Sequence, residues 1–442
     1  MIHAKLGINS EVILLRGPSA SIFLQVLFSA VFLLITYAVQ RFWFARAWRL
    51  IERVRHPAGR NLLRAAWFAS AGIVFIALLD SALGHFLPRT GTAATILLIA
   101  RLWMSVSFLA LAAVGLTGAF NWISKSLLAV AAPLNHENID RGRRAFFRSA
   151  AYLAGGLPFV AGAYGFFKER LSYQIRNIEI PVADLPAGLD GLRILQLSDI
   201  HAGDFMPRSE IRRAVEMGNA LGADLTVVTG DFITGVNDPL EDCIVELSRL
   251  HAPLGVWGCN GNHEIYAGAE ERAQQLFERF GMRLLRQQNA ELSWRGEKFN
   301  LIGVDYQRER AVSGKKLPML RGTEPLVRKD IPNILLSHNP NSFRRAADLG
   351  IQLSLAGHTH GGQVQVEIVD HSFSPARFMT NFVAGLYRLP IGGKSNRAVS
   401  EPAGGSTRHA SLYVNRGLGT IGMPVRLGVP PEITLITLRA PA

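Results

Sequence analysis

The stretch Ala356-Gly357-His358-Thr359-His360-Gly361-Gly362 sets two histidines two residues apart, directly after the apolar run Ile351 to Ala356. The flanking glycines allow tight turns and close approach of the backbone to a bound ion or phosphate. A His-x-His pair alone is commonly a chance feature of a surface loop, and its weight here comes from upstream. Leu192–Leu197 leads into Ser198-Asp199-Ile200-His201, and Leu225–Thr229 into Gly230-Asp231. Val256–Cys259 leads into Gly261-Asn262-His263-Glu264, and Ile334–Leu336 into Ser337-His338-Asn339-Pro340. Short apolar runs bounded by Gly, Asn and Asp read as buried strands. In open α/β sheets ligand sites form beyond the carboxyl ends of strands. Five strand ends are therefore expected to present Asp-x-His, Asp, Asn-His, His and His-x-His to one rim.

The chain has 442 residues, room for two or three domains. It is 49% hydrophobic with a mean hydropathy of +0.18, and the excess lies in residues 1–170, which points to a membrane region ahead of a soluble domain. The net charge of +13 is compatible with nucleic acid, but much of it sits in short loops between apolar spans, where arginine sets topology. No nucleic-acid partner is expected. The two cysteines, Cys243 and Cys259, exclude a disulfide scaffold and a cysteine-based zinc cluster. One falls on an expected helix and the other on an expected strand, so two buried free thiols are expected.

Residues 21–40 carry no charge and are long enough to cross a bilayer. Without a convincing cleavage site after them, they read as an anchor and not a signal peptide. Further spans are expected at 65–84, 94–120 and 149–167. The loop Arg41–Arg64 holds seven arginines against one glutamate, and Arg141-Gly142-Arg143-Arg144-Ala145-Phe146-Phe147-Arg148 is again strongly basic. The positive-inside rule makes both cytoplasmic and the short loop around Pro88 external. Four spans then place the N-terminus and everything after Arg170 outside the cytoplasm, in a multi-pass inner-membrane protein with a periplasmic domain. Arg143-Arg144-Ala145-Phe146-Phe147-Arg148 also resembles a twin-arginine export motif, a plain basic flank being the alternative. Asp80 and Arg101 are ionisable groups near one membrane face, expected to pair across the second and third spans.

Residues 171–187 read as a linker, and 171–442 as one α/β domain. Pro207–Leu221, Leu240–Leu250 and Gly268–Phe280 have helical apolar spacing, with Pro207 in the first turn and Gly281 at a helix stop. Asn300–Val304, Ser411–Val414 and Glu432–Leu438 read as strands, and Gly392–His409 as a flexible loop. Alternating strands and helices imply a sheet core with helices outside.

Oxygen and nitrogen ligands without thiolate suit Mn, Fe or Zn. The candidates are too many for one ion. A carboxylate can bridge two, and two divalent ions about 3.5–4 Å apart activate a hydroxide and clamp phosphoryl oxygens for in-line displacement.

Asp199-x-His201, Gly230-Asp231, Gly261-Asn262-His263-Glu264, His338 and Gly357-His358-Thr359-His360 resemble, in order and spacing, the five blocks of the calcineurin-like metallophosphoesterases. The resemblance covers 192–438. The N-terminal spans with Leu412-Tyr413-Val414-Asn415-Arg416-Gly417-Leu418-Gly419 and Pro430-Pro431-Glu432-Ile433 resemble its membrane-associated bacterial branch typified by YkuE and YaeI.

The resemblance implies an α-helical membrane region followed by an α/β domain folded as a four-layer α/β/β/α sandwich. It assigns one metal to Asp199, His201 and His360 with Asp231 bridging, and the second to Asp231, Asn262, His338 and His358. His263 would not bind metal but would stabilise the pentacoordinate phosphorus or protonate the leaving oxygen. Glu264 would support the turn. Arg416 and Arg377 are candidate phosphate contacts, with Arg388 and Lys394 behind them. Ser374–Leu389 could touch a bilayer or pack in the core. The implied activity is metal-dependent phosphodiester hydrolysis, on a lipid-linked or cell-wall substrate, with membrane lipids as partners. A membrane-bound metal sensor or scaffold is the alternative. The Gly392–His409 segment is longer than usual for the branch.

Overall fold

The computed structural model describes residues 18–82, 91–131, 136–308, 317–368, 371–373, 375–378, 380–392 and 408–441. It divides into two compact units, Met1–Val160 and Ala161–Ala442. The loop around Pro88, Lys394 and most of Gly392–His409 lie outside the described residues.

The first unit is helical: α1 (Pro18–Ile51), α2 (Pro57–Ala82), α3 (Gly91–Ala131) and α4, which spans His136–Phe167. Among the described residues, three segments are long and apolar enough to cross a membrane: Pro57–Asp80, Thr95–Leu127 and Gly142–Leu171. This corrects the expectation of four. Residues 21–40 are helical within α1, and most of their side chains lie outside the described residues. Leu62, Leu116 and Leu153 point outward, each more than 70% exposed, an arrangement suited to lipid and not to water. Inside, the buried Asp80 receives a hydrogen bond from Arg101, so α2 and α3 are joined by the expected ion pair. Gln40 Nε2 donates to Ser107 Oγ at 2.8 Å, and Trp103 Nε1 donates to Gln40 Oε1 at 2.9 Å, tying α1 to α3.

The second unit alternates strands and helices: β1 (Gln174–Pro181), β2 (Arg193–Leu197), α5 (Arg208–Asn219), β3 (Leu225–Thr229), α6 (Leu240–Leu247) and β4 (Val256–Cys259). Then come α7 (Asn262–Ala267), α8 (Glu270–Arg279), β5 (Arg283–Leu284), β6 (Gln288–Trp294), β7 (Glu297–Val304) and β8 (Asn333–Ser337). Last are α9 (Phe343–Asp348), β9 (Leu353–Ala356), β10 (Val366–Ile368), β11 (His371–Phe373), β12 (Gly385–Pro390), β13 (His409–Val414) and β14 (Glu432–Arg439).

Two six-stranded sheets form, in the orders β1-β14-β2-β3-β4-β5 and β12-β13-β9-β8-β7-β6. Strand alternation decides which residues meet. Ile194, Leu225, Val227 and Trp257 of the first sheet pack against Leu301, Ile334, Leu336 and Leu355 of the second, forming a core between them. Leu195, Leu197 and Val228 point the other way, onto Ile211, Val215, Ile244, Leu247, Leu276 and Phe277 of α5, α6 and α8. The outer face of the second sheet packs on α9 through Phe343, Ala346 and Ala347. Gln196 crosses between the sheets, donating to Thr229 Oγ1 and to the carbonyl of Ala356, both at 3.0 Å. Both N–H donors of the buried amide are thereby satisfied.

Several boundaries differ from expectation. Residues 171–187 contain the edge strand β1, whose exposed faces leave no apolar run to read. The expected helix Gly268–Phe280 begins after a break, because Gly268 is a left-handed C-cap of α7 at φ 63°. Pro207 is the N-cap of α5 and not inside its first turn. Phe382 and Leu389 are buried against Phe343, so that part of 374–389 is core. Cys243 and Cys259 are buried free thiols.

Candidate metal centre

Each candidate ligand leaves the carboxyl end of a central strand: Asp199 and His201 after β2, Asp231 after β3, Asn262 and His263 after β4, His338 after β8, His358 and His360 after β9. The backbone turns sharply there. Asp199, His201, Asp231, His358 and His360 all have φ between 50° and 77°, a left-handed region that costs non-glycine residues energy. Such strain persists where surrounding structure over-determines it. A Cβ at Gly261 would lie 2.1 Å from Asp231 Oδ1, so that position must be glycine for the Asp231 turn to close.

The side chains converge. His201 Nε2 and His360 Nε2 are 3.1 Å apart, with Asp199 Oδ1 3.3 Å from His360 Nε2. His338 Nε2 lies 3.0 Å from Asp231 Oδ2 and 3.3 Å from His358 Nδ1. The ligand atoms of Asp199, His201 and His360 lie within 4.8 Å of one another, as do those of Asp231, His338 and His358, and those of His201, Asp231 and His263. These clusters can hold two divalent ions, with Asp231 facing both.

Orientation is fixed from outside. His338 Nδ1 donates to the carbonyl of Thr229 at 2.6 Å, which leaves Nε2 as the atom able to coordinate an ion. His263 Nδ1 donates to the carbonyl of Thr234 at 2.7 Å. Glu264 accepts from the amides of Asp231, Phe232 and Gly261 at 2.9, 2.7 and 2.8 Å, stapling two ligand loops together. Burial, with Asp231 nearby, raises its carboxyl to about 7.

Burial lowers His201 to about 3, His358 to about 4 and His360 well below its ordinary value. These rings are neutral at pH 7, with lone pairs to offer. Burial raises Asp199 to about 6. Burial also opposes ionisation of Asp231 but is outweighed by His338 and His201, which hold it below the usual carboxylate range. His338 is the counterpart, pushed up to about 10 by Asp231 against the opposing effect of its burial. Among the buried polar atoms without a partner in the described residues are Asn262 Oδ1 and His360 Nδ1. Paired imidazoles facing each other beside carboxylates, with an orphaned amide oxygen, fit divalent ions of the Mn, Fe or Zn type.

A cleft of about 780 Å³ opens over Asp231, Asn262, His263, His358 and His360. Its other walls include Tyr266, Tyr306, Arg308, Asn339 and Asn341. Tyr306 lies 5.5 Å from the His358 ring, and the Arg308 guanidinium sits 5.3 Å from the Tyr266 ring. No sequence motif marks these residues. Arg416 and Arg377 are not among the lining side chains. Arg416 Nε lies 3.4 Å from the Glu432 carboxylate, and Arg377 is exposed beside Ala376, which does line the cleft.

Arg426 also went unread. Fully buried, it donates to the carbonyls of Arg416, Gly417, Gly419 and Val429 at 2.8, 3.0, 2.6 and 3.1 Å. That holds the loop whose Leu418 and Gly419 amides donate to the carbonyls of Ser198 and Asp199 at 3.0 and 2.8 Å.

Residues 192–362 match the family Calcineurin-like phosphoesterase, so the chain carries a domain of the calcineurin-like metallophosphoesterase superfamily, and it has membrane-associated relatives. One of these is a transmembrane protein with metallophosphoesterase domain from Danio rerio, 31% identical over 63% of this chain and 60% of that protein. The uncharacterized metallophosphoesterase YkuE of Bacillus subtilis is 29% identical over 67% of this chain and 98% of its own length. Phosphodiesterase YaeI of Escherichia coli is 29% identical over 56% and 82%. The aligned part thus spans less than two thirds of the Danio rerio protein and most of the two bacterial ones.

Proposed function

We propose that the chain is a membrane-anchored, metal-dependent phosphodiesterase. The observation that carries the reading is the shared Asp231 between two facing histidine pairs, His201 with His360 and His338 with His358. In this reading Asp199, His201, His360 and Asp231 hold one ion, and Asp231, Asn262, His338 and His358 the other. Two such ions supply positive charge to the phosphoryl oxygens and acidify the attacking water. His263 borders the cleft with Nδ1 committed to Thr234, so Nε2 is the atom that passes a proton to the leaving oxygen. Tyr266, Tyr306 and Arg308 would face the leaving group, a wall suited to an apolar or aromatic alcohol.

A phosphodiester substrate is supported by the similarity to YaeI, whose name records that activity. A lipid-linked or cell-envelope diester follows from joining the domain, taken as 171–442, to a membrane region, taken as 1–170. The arginine-rich segments 41–64 and 141–148 flank the α2–α3 pair and so share a face, cytoplasmic by their charge. Crossing by α4 would put the phosphoesterase domain on the other side.

The test uses the full chain in detergent, chelated and reloaded with Mn²⁺, on bis-p-nitrophenyl phosphate, p-nitrophenyl phosphate and a glycerophospholipid diester. Turnover of diesters well above the monoester supports the proposal. Equal turnover of all three favours a broad phosphoesterase that also accepts monoesters. Absent turnover with two ions bound favours a sensor or scaffold.

A further inference from the structure

The first unit contains a second large cavity, about 940 Å³, between α1, α2 and α3, with Tyr152 of α4 at its edge. That is the size of a ligand pocket. Its floor is aromatic and aliphatic: Trp43, Phe44, Trp67, Ile73, Ile99 and Trp103. The rings are locked edge-to-face, Phe44 against Trp67 with centroids 5.5 Å apart, so the floor is preformed.

The rim is charged with one sign. Arg46, Arg49 and Arg53 line one side at helical spacing, and among the described residues no Asp or Glu lines the cavity. The carboxylate adjacent in sequence, Glu52, is already committed to Arg64, which donates to both its oxygens at 2.9 and 2.7 Å. Arg46 spends one N–H on the Phe42 carbonyl at 3.4 Å, and Arg49 one on that of Ala45 at 3.3 Å. A guanidinium has five N–H donors, so most remain available.

We propose that this cavity holds one anionic phospholipid. Its phosphate lies in the fork of Arg46, Arg49 and Arg53, and an acyl chain lies along Trp43, Phe44, Trp67 and Trp103. A free phosphate would leave the apolar floor empty, and a neutral lipid would leave three guanidinium groups uncompensated. Guanidinium binds phosphate bidentately, and basic pockets between membrane helices favour anionic headgroups. The assignment does not depend on the chemistry of the metal-ligand rim.

The test is native mass spectrometry of the full chain in detergent with an equimolar mixture of phosphatidylglycerol and phosphatidylcholine. The wild type is expected to retain one phosphatidylglycerol, favoured over phosphatidylcholine by about tenfold or more. Arg46→Gln/Arg49→Gln/Arg53→Gln should lose that preference, whereas Arg55→Gln, an exposed arginine outside the cavity, should keep it. Ala100→Trp fills the cavity while leaving every charge in place, and should lose the retained lipid. Equal retention of the two lipids by the wild type overturns the proposal. So does unchanged phosphatidylglycerol retention by Ala100→Trp, which would mean charge attraction at the surface only. Melting profiles and elution volumes of the variants that match the wild type separate loss of the site from loss of the fold.

Discussion

His201 and His360 face each other through their Nε2 atoms at 3.1 Å, although 159 positions separate them in the chain. Both rings are buried and held neutral by that burial. A single shared proton could satisfy the pair, but Asp199 Oδ1 at 3.3 Å from His360 and Asp231 Oδ2 at 3.6 Å from His201 crowd the same point. Four donor atoms converging on one spot describe a cation site.

Removing one of those donors should remove one ion. His360→Ala is expected to bind one Mn²⁺ per chain where the wild type binds two, by metal analysis after dialysis. Asp231→Asn, altering the shared ligand, should weaken both sites. Chelation should lower the melting temperature, since a ligand at a hundredfold over its Kd contributes about 2.7 kcal/mol.

Glu264→Gln keeps size but loses one of the two acceptor oxygens that receive the Asp231, Phe232 and Gly261 amides. The cost is about 1–3 kcal/mol in unfolding free energy. Metal affinity should fall about 10–100-fold, as for other groups that orient ligands, and a titration with Mn²⁺ checks it.

Glu246 joins α5 to α6, receiving Arg208 and Arg212 while Arg249 approaches at 3.0 Å. Hydrogen bonds from Arg212, against an opposing effect of burial, lower its carboxyl to about 2 from an ordinary value of 4.5. The folded pKa is depressed, so the stabilisation is present above pH 4.5 and lost as pH falls through 2. The arginines are 44–54% exposed, and solvent screening reduces the effect to on the order of 1 kcal/mol. In metal-free protein Glu246→Gln should lower stability at pH 6 and flatten its fall between pH 4.5 and 2, measured by thermal denaturation.

Asp80 is almost fully buried and paired with Arg101. Asp80→Ala removes the carboxylate that meets the Arg101 guanidinium, a loss of about 3–5 kcal/mol for a broken buried pair. Asp80→Ala/Arg101→Ala should be more stable than Asp80→Ala in detergent melts. Equal or lower stability of the double variant would count against the pairing as the source of the loss.

The candidate ligands stand out in the sequence because each follows an apolar strand, and chemistry-bearing side chains at strand ends leave a local signature. Asp231 and His338 meet only in space, yet the shared pattern of strand then ligand exposed both. Tyr306 and Arg308 lie in the irregular segment after β7, with no period or motif to flag them. Arg426 reads as an ordinary surface arginine, because its burial depends on the carbonyls of a loop seven to ten residues away. Strand β1 carries no apolar run because, at the sheet edge, only Ile178 and Ile180 reach the core. The expected span 21–40 was legible as helix. Most of its side chains lie outside the described residues, among which three segments are long and apolar enough to span.

The most direct measurement is turnover of bis-p-nitrophenyl phosphate by the chelated full chain as Mn²⁺ is added back, alongside His263→Ala. The account expects activity to rise until two ions are bound per chain. His263→Ala should bind the same two ions yet turn over about 10²–10⁴-fold more slowly. Full activity in His263→Ala, or none in the wild type with both ions in place, would contradict it.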